Sequence, residues 1–320
     1  MTLARRRLLH RRAGSAVGTR GRRDVQAAIV AQHLAMAGDE KGAAVAYVLA
    51  GERARALYAN SEALGHFQAA LALGYDDPAS VHREIGDLET LAGDYRAALS
   101  SYETAAAMSP PEGRAELELR IGGVHLRRGA WELAEASLAA AAEGLDGEAE
   151  ARAVADRSLV AHRRGEPEVA QQLASHASDL AEAAGDVRAR AQARNILGIL
   201  AASRGDNAAA IADFETGLAL AEGAHDTAAE AASLNNLALA VAAGGDTQRG
   251  IELAEAAVAR TVTLGDRHRE AAVRNNLADL LHAAGRHDDA MAELKLAVAI
   301  FAEIGEEGEL EPEIWKLSEW

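Results

Sequence analysis

The chain has 320 residues, of which 49% are hydrophobic but only 3% aromatic, and alanine supplies most of the apolar count. Because alanine is the best helix former and only 5 residues are proline, we expect an all-α fold. Cysteine is absent, which excludes disulfides and thiolate metal sites. No apolar run is long enough to cross a bilayer, so we expect a cytoplasmic chain that makes no membrane contact.

Residues 1–23 form a basic segment with eight arginines and no acidic residue. The formal charge of the whole chain is −16, so the body from residue 24 to residue 320 carries −24. So acidic a body repels a phosphate backbone, and we expect it to bind no nucleic acid. The basic segment itself fits a helix left over from an adjoining domain, a contact with an acidic partner, or a mitochondrial-type targeting peptide.

Residues 24–43 are predicted to be a leading cap helix region, and residues 44–305 to be seven helical repeats. Segments that start at residues 156, 196, 236 and 276 align with a step of 40 residues, and upstream copies follow a step of 36. Small side chains recur at one position of every copy: Gly51, Gly86, Gly122, Ser158, Gly198, Ala238 and Ala278. Seven residues later a glycine ends the helix in six copies: Gly93, Gly129, Gly165, Gly205, Gly245 and Gly285.

This spacing predicts two helices in each repeat, which approach closely where the small residue lies. Each glycine allows the left-handed conformation that ends a helix, and an aspartate directly after it can cap the next one. The repeats are expected to wind into a right-handed superhelix of helical hairpins, an α-solenoid with an inner groove. Residues 306–320 are predicted to form a C-terminal cap helix, with Trp315 covering the last repeat.

The pattern of small residue, glycine, alanine, aromatic or leucine, and alanine resembles the tetratricopeptide repeat (TPR) over residues 44–305. The 40-residue copies, with Asn235-Asn236-Leu237-Ala238 and Asn275-Asn276-Leu277-Ala278, are similar to the longer repeats of kinesin light chains and bacterial regulators. The resemblance implies a TPR-type solenoid that binds proteins or peptides.

A second resemblance covers the first 75 residues and rests on Arg7-Leu-Leu-His-Arg-Arg12, Ala31-Gln-His-Leu-Ala-Met-Ala-Gly38 and the segment 50–60. These residues are similar to the stretch that follows the nucleotide-binding and winged-helix domains of STAND-type regulators, which include LuxR-type and cyclase-linked ATPases. The resemblance implies a sensor or scaffold arm, with an upstream ATPase or winged-helix domain as a partner. None of the three lysines lies in a Walker A motif, so this chain is not expected to bind ATP in that way.

The best binding candidates are three asparagines, Asn195, Asn235 and Asn275, each three residues before the small residue of its repeat. We expect the first helix of each pair to line the concave groove, so these amides can pair with the backbone of an extended peptide. Their neighbours on the same face complete the predicted peptide-binding set: Gln192, Ile199, Leu239 and Asp279. The alternative is that the asparagines bond to neighbouring repeats and set the stacking angle.

No catalytic set, metal site or cofactor site is predicted. The cluster of His282, His287, Asp288 and Asp289 spans the turn at Gly285 and is interpreted as a solvated corner. The predicted function is a non-catalytic scaffold or sensor that binds a protein or peptide in a signalling or transcriptional context. The alternatives are a fragment of a STAND regulator whose ATPase half is missing, and an enzyme with an unrecognised site.

Overall fold

The computed structural model describes residues 5–10, 12, 13 and 26–304. Over these residues the chain is helical with no strand, which confirms the all-α prediction. The predicted C-terminal cap at 306–320, with Trp315, and most of the basic segment 1–23 lie outside the described residues. None of the described helices is both long and apolar enough to span a membrane.

Residues 5–10 are helical, and fifteen helices follow within the continuous described range 26–304. Their bounds are α1 Ala27–Ala37, α2 Glu40–Ala56, α3 Asn60–Ala72, α4 Pro78–Ala92, α5 Tyr95–Met108, α6 Pro111–Arg127, α7 Trp131–Gly144, α8 Gly147–Arg163, α9 Pro167–Ala184, α10 Val187–Ser203, α11 Asn207–Gly223, α12 Thr227–Ala243, α13 Thr247–Leu264, α14 Arg267–Ala283 and α15 His287–Ile304. The described residues divide into two compact units, of which the first holds those up to residue 89 together with 96–109, and the second holds 90–95 and 110–304.

Small residues of the first helices do lie where the helices of a pair cross. A Cβ added at Gly122 of α6 would lie 2.6 Å from Cγ of Leu138 on α7, and one at Gly198 of α10 would lie 2.5 Å from Phe214 on α11. Gly51 and Gly86 in the first unit are covered in the same way by Phe67 and Tyr102. The ring or leucine therefore fills the space that the missing side chain leaves, and the close crossing predicted from the spacing is confirmed.

Where no large residue covers the crossing, the packing is made of alanine. Ala174, Ala254 and Ala238 are fully buried, and the Ser158 hydroxyl is satisfied by donating to the Ala170 carbonyl at 2.7 Å. The core therefore consists of many small contacts spread along the chain.

The turns between helices follow the predicted chemistry. All six glycines predicted to end first helices have positive φ, from 73° at Gly129 to 102° at Gly245. His225 takes the same left-handed conformation, with φ of 52°, at a corner where the other copies have glycine. Side chains of Asp206, Asp226 and Asp246 then accept hydrogen bonds from backbone amides at the start of the following helices. These caps fix where each helix begins.

In the second unit, each first helix packs against its own partner and also against the next first helix. Helices α6, α8, α10, α12 and α14 contact one another in succession in addition to the hairpin contacts. Residues on the exposed sides of these five helices therefore lie next to one another across several repeats.

Candidate functional site

A groove of about 680 Å³ lies within the second unit, on the side formed by the first helices. We call it the first-helix groove. Its lining residues come from five first helices, one helix-capping residue and the start of α7: Gly123, Leu126, Arg127, Trp131, Arg152, Asp156, Leu159, Arg163, Arg188, Ala191, Gln192, Asn195, Ile196, Ile199, Asp226, Ala228, Ala229, Ala232, Ser233, His268, Arg269 and Ala272.

Helical periodicity explains why these residues share one surface. On α8 the lining positions are 152, 156, 159 and 163, and on α10 they include 188, 192, 195 and 199. Steps of three and four residues place side chains on a single helix face. On α12 and α14 the lining is confined to the first two turns, at 228–233 and 268–272.

Three of the seven predicted binding residues line the groove: Gln192, Asn195 and Ile199. The other four do not line it. Leu239 is 37% exposed, while Asn235, Asn275 and Asp279 are half-buried on α12 and α14. On α12 and α14, the residues that line the groove therefore lie nearer the start of the helix than Asn235 and Asn275 do.

The asparagines also connect neighbouring repeats. Nδ2 of Asn236 donates to Oδ1 of Asn195 at 3.0 Å, and Nδ2 of Asn276 donates to Oδ1 of Asn235 at 2.9 Å. Both bonds join residues 41 positions apart. The amide nitrogen of Asn195 donates no hydrogen bond to a described residue.

Five arginines and two aspartates line the groove, although the chain as a whole carries −16. The sequence reasoning missed these arginines because it used the charge of the whole body. The repeat spacing contained a usable signal. A step of 40 residues relates Gln192 to Ala232 and Ala272, and the same step taken backwards from Gln192 leads to Arg152. One helical turn earlier, two such steps relate Arg188 to His268.

The most buried charge pair at this site joins two distant first helices. Arg127 donates to both carboxylate oxygens of Asp266, at 2.8 and 2.7 Å, and the Asp266 side chain is only 2% exposed. Burial alone would raise the pKa of Asp266, but the charges of Arg127 and Arg269 outweigh it and hold that pKa below its usual range. The bidentate pair fixes the position of Arg127 at the edge of the groove.

Aromatic groups pack beside this pair. The Tyr95 hydroxyl, at the end of the segment 90–95 that belongs to the second unit, lies 2.7 Å from Nδ1 of His268. Phe301 meets the His268 ring edge-on, with centroids 5.9 Å apart. Burial, with a further contribution from Arg127, lowers the pKa of His268 to about 4. The imidazole is therefore uncharged at neutral pH and adds no charge to the groove.

Asp156 is a half-buried acid of the groove. Burial raises its pKa to about 6, although Arg152 and the Gln192 amide, which donates to it at 2.6 Å, both favour the ionised form. A carboxyl with a higher pKa in the folded chain than in the unfolded chain stabilises the fold most below its unfolded pKa of 3.8. That contribution is lost as the pH rises through about 6.

Replacing Asp156 with asparagine should therefore change stability in a pH-dependent way. We expect Asp156→Asn to raise the free energy of unfolding by about 1–2 kcal/mol at pH 8 and to have little effect at pH 4, measured by urea unfolding at both values. Asp179→Asn, an exposed change on α9, is the control and should leave stability unchanged at both. An equal effect of Asp156→Asn at the two pH values would contradict the assignment.

The histidines predicted to form a solvated corner are close together. His282 and His287 have ring centroids 4.7 Å apart and a separation of 3.3 Å between their Nδ1 atoms; His287 is exposed and His282 is half-buried. Within the described ranges, no group of three or more histidine, cysteine, aspartate or glutamate residues is arranged to hold a metal ion.

Comparison with known proteins gives one family match and several similar folds. Residues 229–303 match the model of the tetratricopeptide repeat. No curated protein sequence matches the chain.

Three solved structures illustrate the fold. One is a Rap protein complexed with Competence and Sporulation Factor, at 13% identity and a TM-score of 0.60, with 94% of this chain and 92% of that chain covered. Another is the Rap conjugation gene regulator of plasmid pLS20 in complex with a Phr peptide, at 16% identity and 0.66, with 86% and 79% covered.

The third is a STAND protein with a tetratricopeptide repeat sensor from Pyrococcus horikoshii, at 13% identity and a TM-score of 0.53. The alignment covers 98% of this chain and 53% of that one, so the chain spans about half the length of the STAND protein. The family match identifies residues 229–303 as tetratricopeptide repeats, and these folds show that the chain is an all-α solenoid of helical hairpins of the tetratricopeptide-repeat type.

Proposed function

We propose that the chain is a non-catalytic interaction module that binds a peptide or an extended protein segment in the first-helix groove. The observation that carries the proposal is the groove itself. Its volume of about 680 Å³ falls within the range of roughly 300–1,000 Å³ that is typical of ligand sites. It combines apolar side chains such as Ile196 and Ile199 with donors such as Gln192 and Asn195.

The polar groups of α10 suit a peptide backbone. The amide of Asn195 can donate to a peptide carbonyl, and Ile199, one turn along, offers an apolar contact for a side chain. Asn235, Asn275, Leu239 and Asp279 are proposed as an extension of this surface along the later first helices. The Oδ1 atoms of Asn195 and Asn235 already accept bonds from neighbouring repeats, and Nδ2 of Asn235 donates to Oδ1 of Asn236 at 3.2 Å. We therefore assign recognition to the N–H groups of Asn195.

The two Rap structures support the choice of a peptide as ligand, since both were solved as complexes, one with Competence and Sporulation Factor and the other with a Phr peptide. The likeness to the STAND protein supports a signalling or transcriptional context, in which the chain acts as a sensor arm beside an ATPase.

Selection from a random-peptide library tests the proposal. The full chain is immobilised, peptides displayed on phage are selected, and the enriched peptides are synthesised for affinity measurement. We expect the double change Asn195→Ala and Ile199→Ala to weaken binding at least about ten-fold, because it removes a hydrogen-bond donor and an apolar contact together. Gln248→Ala, an exposed amide on α13, is the matched control and should bind as the parent does. Enriched peptides that bind the double variant with parental affinity would place the site elsewhere.

A further inference from the structure

We infer that the peptide of the first-helix groove carries an acidic side chain, aspartate or glutamate, whose carboxylate pairs with Arg152 of α8. This inference rests on the proposed function and names the chemistry of its ligand.

Arg152 is the half-buried arginine of the groove that forms no hydrogen bond or ion pair with a described side chain. Its Nε atom is buried without a hydrogen bond, and Asp156, one turn along α8, interacts with its charge without coming within ion-pair distance. An arginine left unsatisfied in a buried position costs free energy, and a carboxylate is the group that fits its planar donor fork best. The geometry therefore leaves one strong donor at the groove wall for a ligand to satisfy.

The other arginines of the groove differ from Arg152 in their partners. Arg127 is held by Asp266, and Arg269 donates to the Ala228 carbonyl at 3.0 Å and lies 3.9 Å from the Asp266 carboxylate. Arg188 has Asp226 at 4.0 Å. Arg163 is exposed and forms no ion pair with a described residue, so it adds positive potential on the same face of α8, about 16 Å from Arg152 along the helix axis.

A second unsatisfied group lies in the same groove. The Ser233 side chain is 1% exposed, and its Oγ atom has no hydrogen-bond partner within the described part of the chain. Arg152 and Ser233 lie on different first helices, α8 and α12, so a ligand that satisfies both spans the groove. This second observation supports a polar ligand and excludes a purely apolar one on energetic grounds.

The acidic residues favour a peptide over a nucleic acid. Asp156 and Asp226 line the same groove, so a run of phosphates bound along it would bring negative charge up against these two carboxylates. A peptide with one carboxylate at the correct position meets Arg152 and leaves the aspartates facing uncharged backbone. Specificity then comes from where the acidic residue lies in the peptide.

The test uses the same phage selection with the full chain, its Arg152→Gln variant and Arg190→Gln as the matched control. Arg190 is exposed on α10, beside Arg188, and does not line the groove. Peptides are displayed as amino-terminal fusions, so none has a free C-terminus. We expect aspartate or glutamate to be enriched at one position with the parent and with Arg190→Gln, and not with Arg152→Gln.

Affinities of the leading peptide then decide the pairing. The peptide is synthesised acetylated and amidated, together with a copy in which the acidic residue is changed to its amide. The parent should bind the acidic peptide at least about ten-fold more tightly than the amide copy, and Arg152→Gln should bind both equally. The preference should also weaken with added salt. Because Arg163 is exposed, Arg163→Gln serves as a folded second variant and should reduce the preference several-fold.

The outcomes separate the inference from the proposed function. If the enriched peptides bind the groove with no acidic preference, or if Arg152→Gln weakens both peptides equally, the inference is overturned and peptide binding stands. If the acidic preference appears only for peptides with a free C-terminus, the carboxylate that pairs with Arg152 is the terminal one of the peptide. That result would overturn the assignment to an aspartate or glutamate side chain. Tighter binding of a single-stranded oligonucleotide than of any selected peptide would overturn both.

Discussion

Arg127→Met is expected to lower the free energy of unfolding of the second unit by about 3–5 kcal/mol, because it leaves the Asp266 carboxylate buried without its bidentate partner. The two residues are 139 positions apart in sequence, so their contact joins the beginning and the end of this unit. Urea unfolding followed by circular dichroism measures the loss.

The reciprocal and double changes make this expectation specific. Asp266→Asn keeps a side-chain oxygen that can accept the hydrogen bond from the backbone amide of Arg269, and it therefore keeps the cap of α14. It removes the negative charge beside Arg127. The double variant Arg127→Met with Asp266→Asn should recover much of the loss, since neither partner then remains as an unpaired charge. Arg249→Met is the control: its pair with Glu215 is about half exposed on both sides and should contribute at most about 1 kcal/mol. A loss from Arg127→Met no larger than the loss from Arg249→Met would show that the buried pair does not hold the unit together.

Two adjacent glycines on α6 are expected to respond to alanine with opposite signs. Gly122→Ala should destabilise the chain by about 1–3 kcal/mol, because its new methyl group would lie 2.6 Å from Cγ of Leu138 and 3.3 Å from the backbone nitrogen of that residue. Gly123→Ala should stabilise by up to about 1 kcal/mol, because nothing lies within 4 Å of its added carbon and alanine favours the helix.

Thermal and urea unfolding of the two variants provide the comparison, and each variant serves as the other's control for helix propensity. Since both changes add the same methyl group to the same helix, the difference between them reports packing at the crossing alone. Equal effects at the two positions would mean that α6 and α7 do not cross at Gly122.

Sequence reasoning was most successful where the structure repeats. The small residues at Gly122 and Gly198 and the turn glycines recur at a fixed spacing because each copy meets the same steric demand, so a single chain contains several examples of the rule. His225 departs from this pattern, and it takes the left-handed conformation that glycine has at the same corner of the other copies.

The groove was less predictable because its chemistry does not repeat. The 40-residue step places Arg152 in register with Gln192, but the residue type is not repeated, since Ala232 and Ala272 follow in the later copies. The pairing of Arg127 with Asp266 depends on how several repeats stack, and small rotations at each step decide which side chains meet 139 residues apart. Net charge was a misleading guide, since an acidic chain still gathers five arginines in one groove.

The hydrogen bonds between asparagine side chains of neighbouring first helices limit how such a chain can change its length during evolution. Each bond joins positions 41 residues apart, and the pairs themselves recur every 40 residues. Loss of one whole 40-residue unit between Asn195 and Asn276 would bring the Asn276 amide opposite Asn195, where Asn236 lies now. Whole-unit duplications or deletions therefore keep these half-buried amides paired, whereas an insertion or deletion of another length in a first helix would separate them. This constraint favours evolution by complete units.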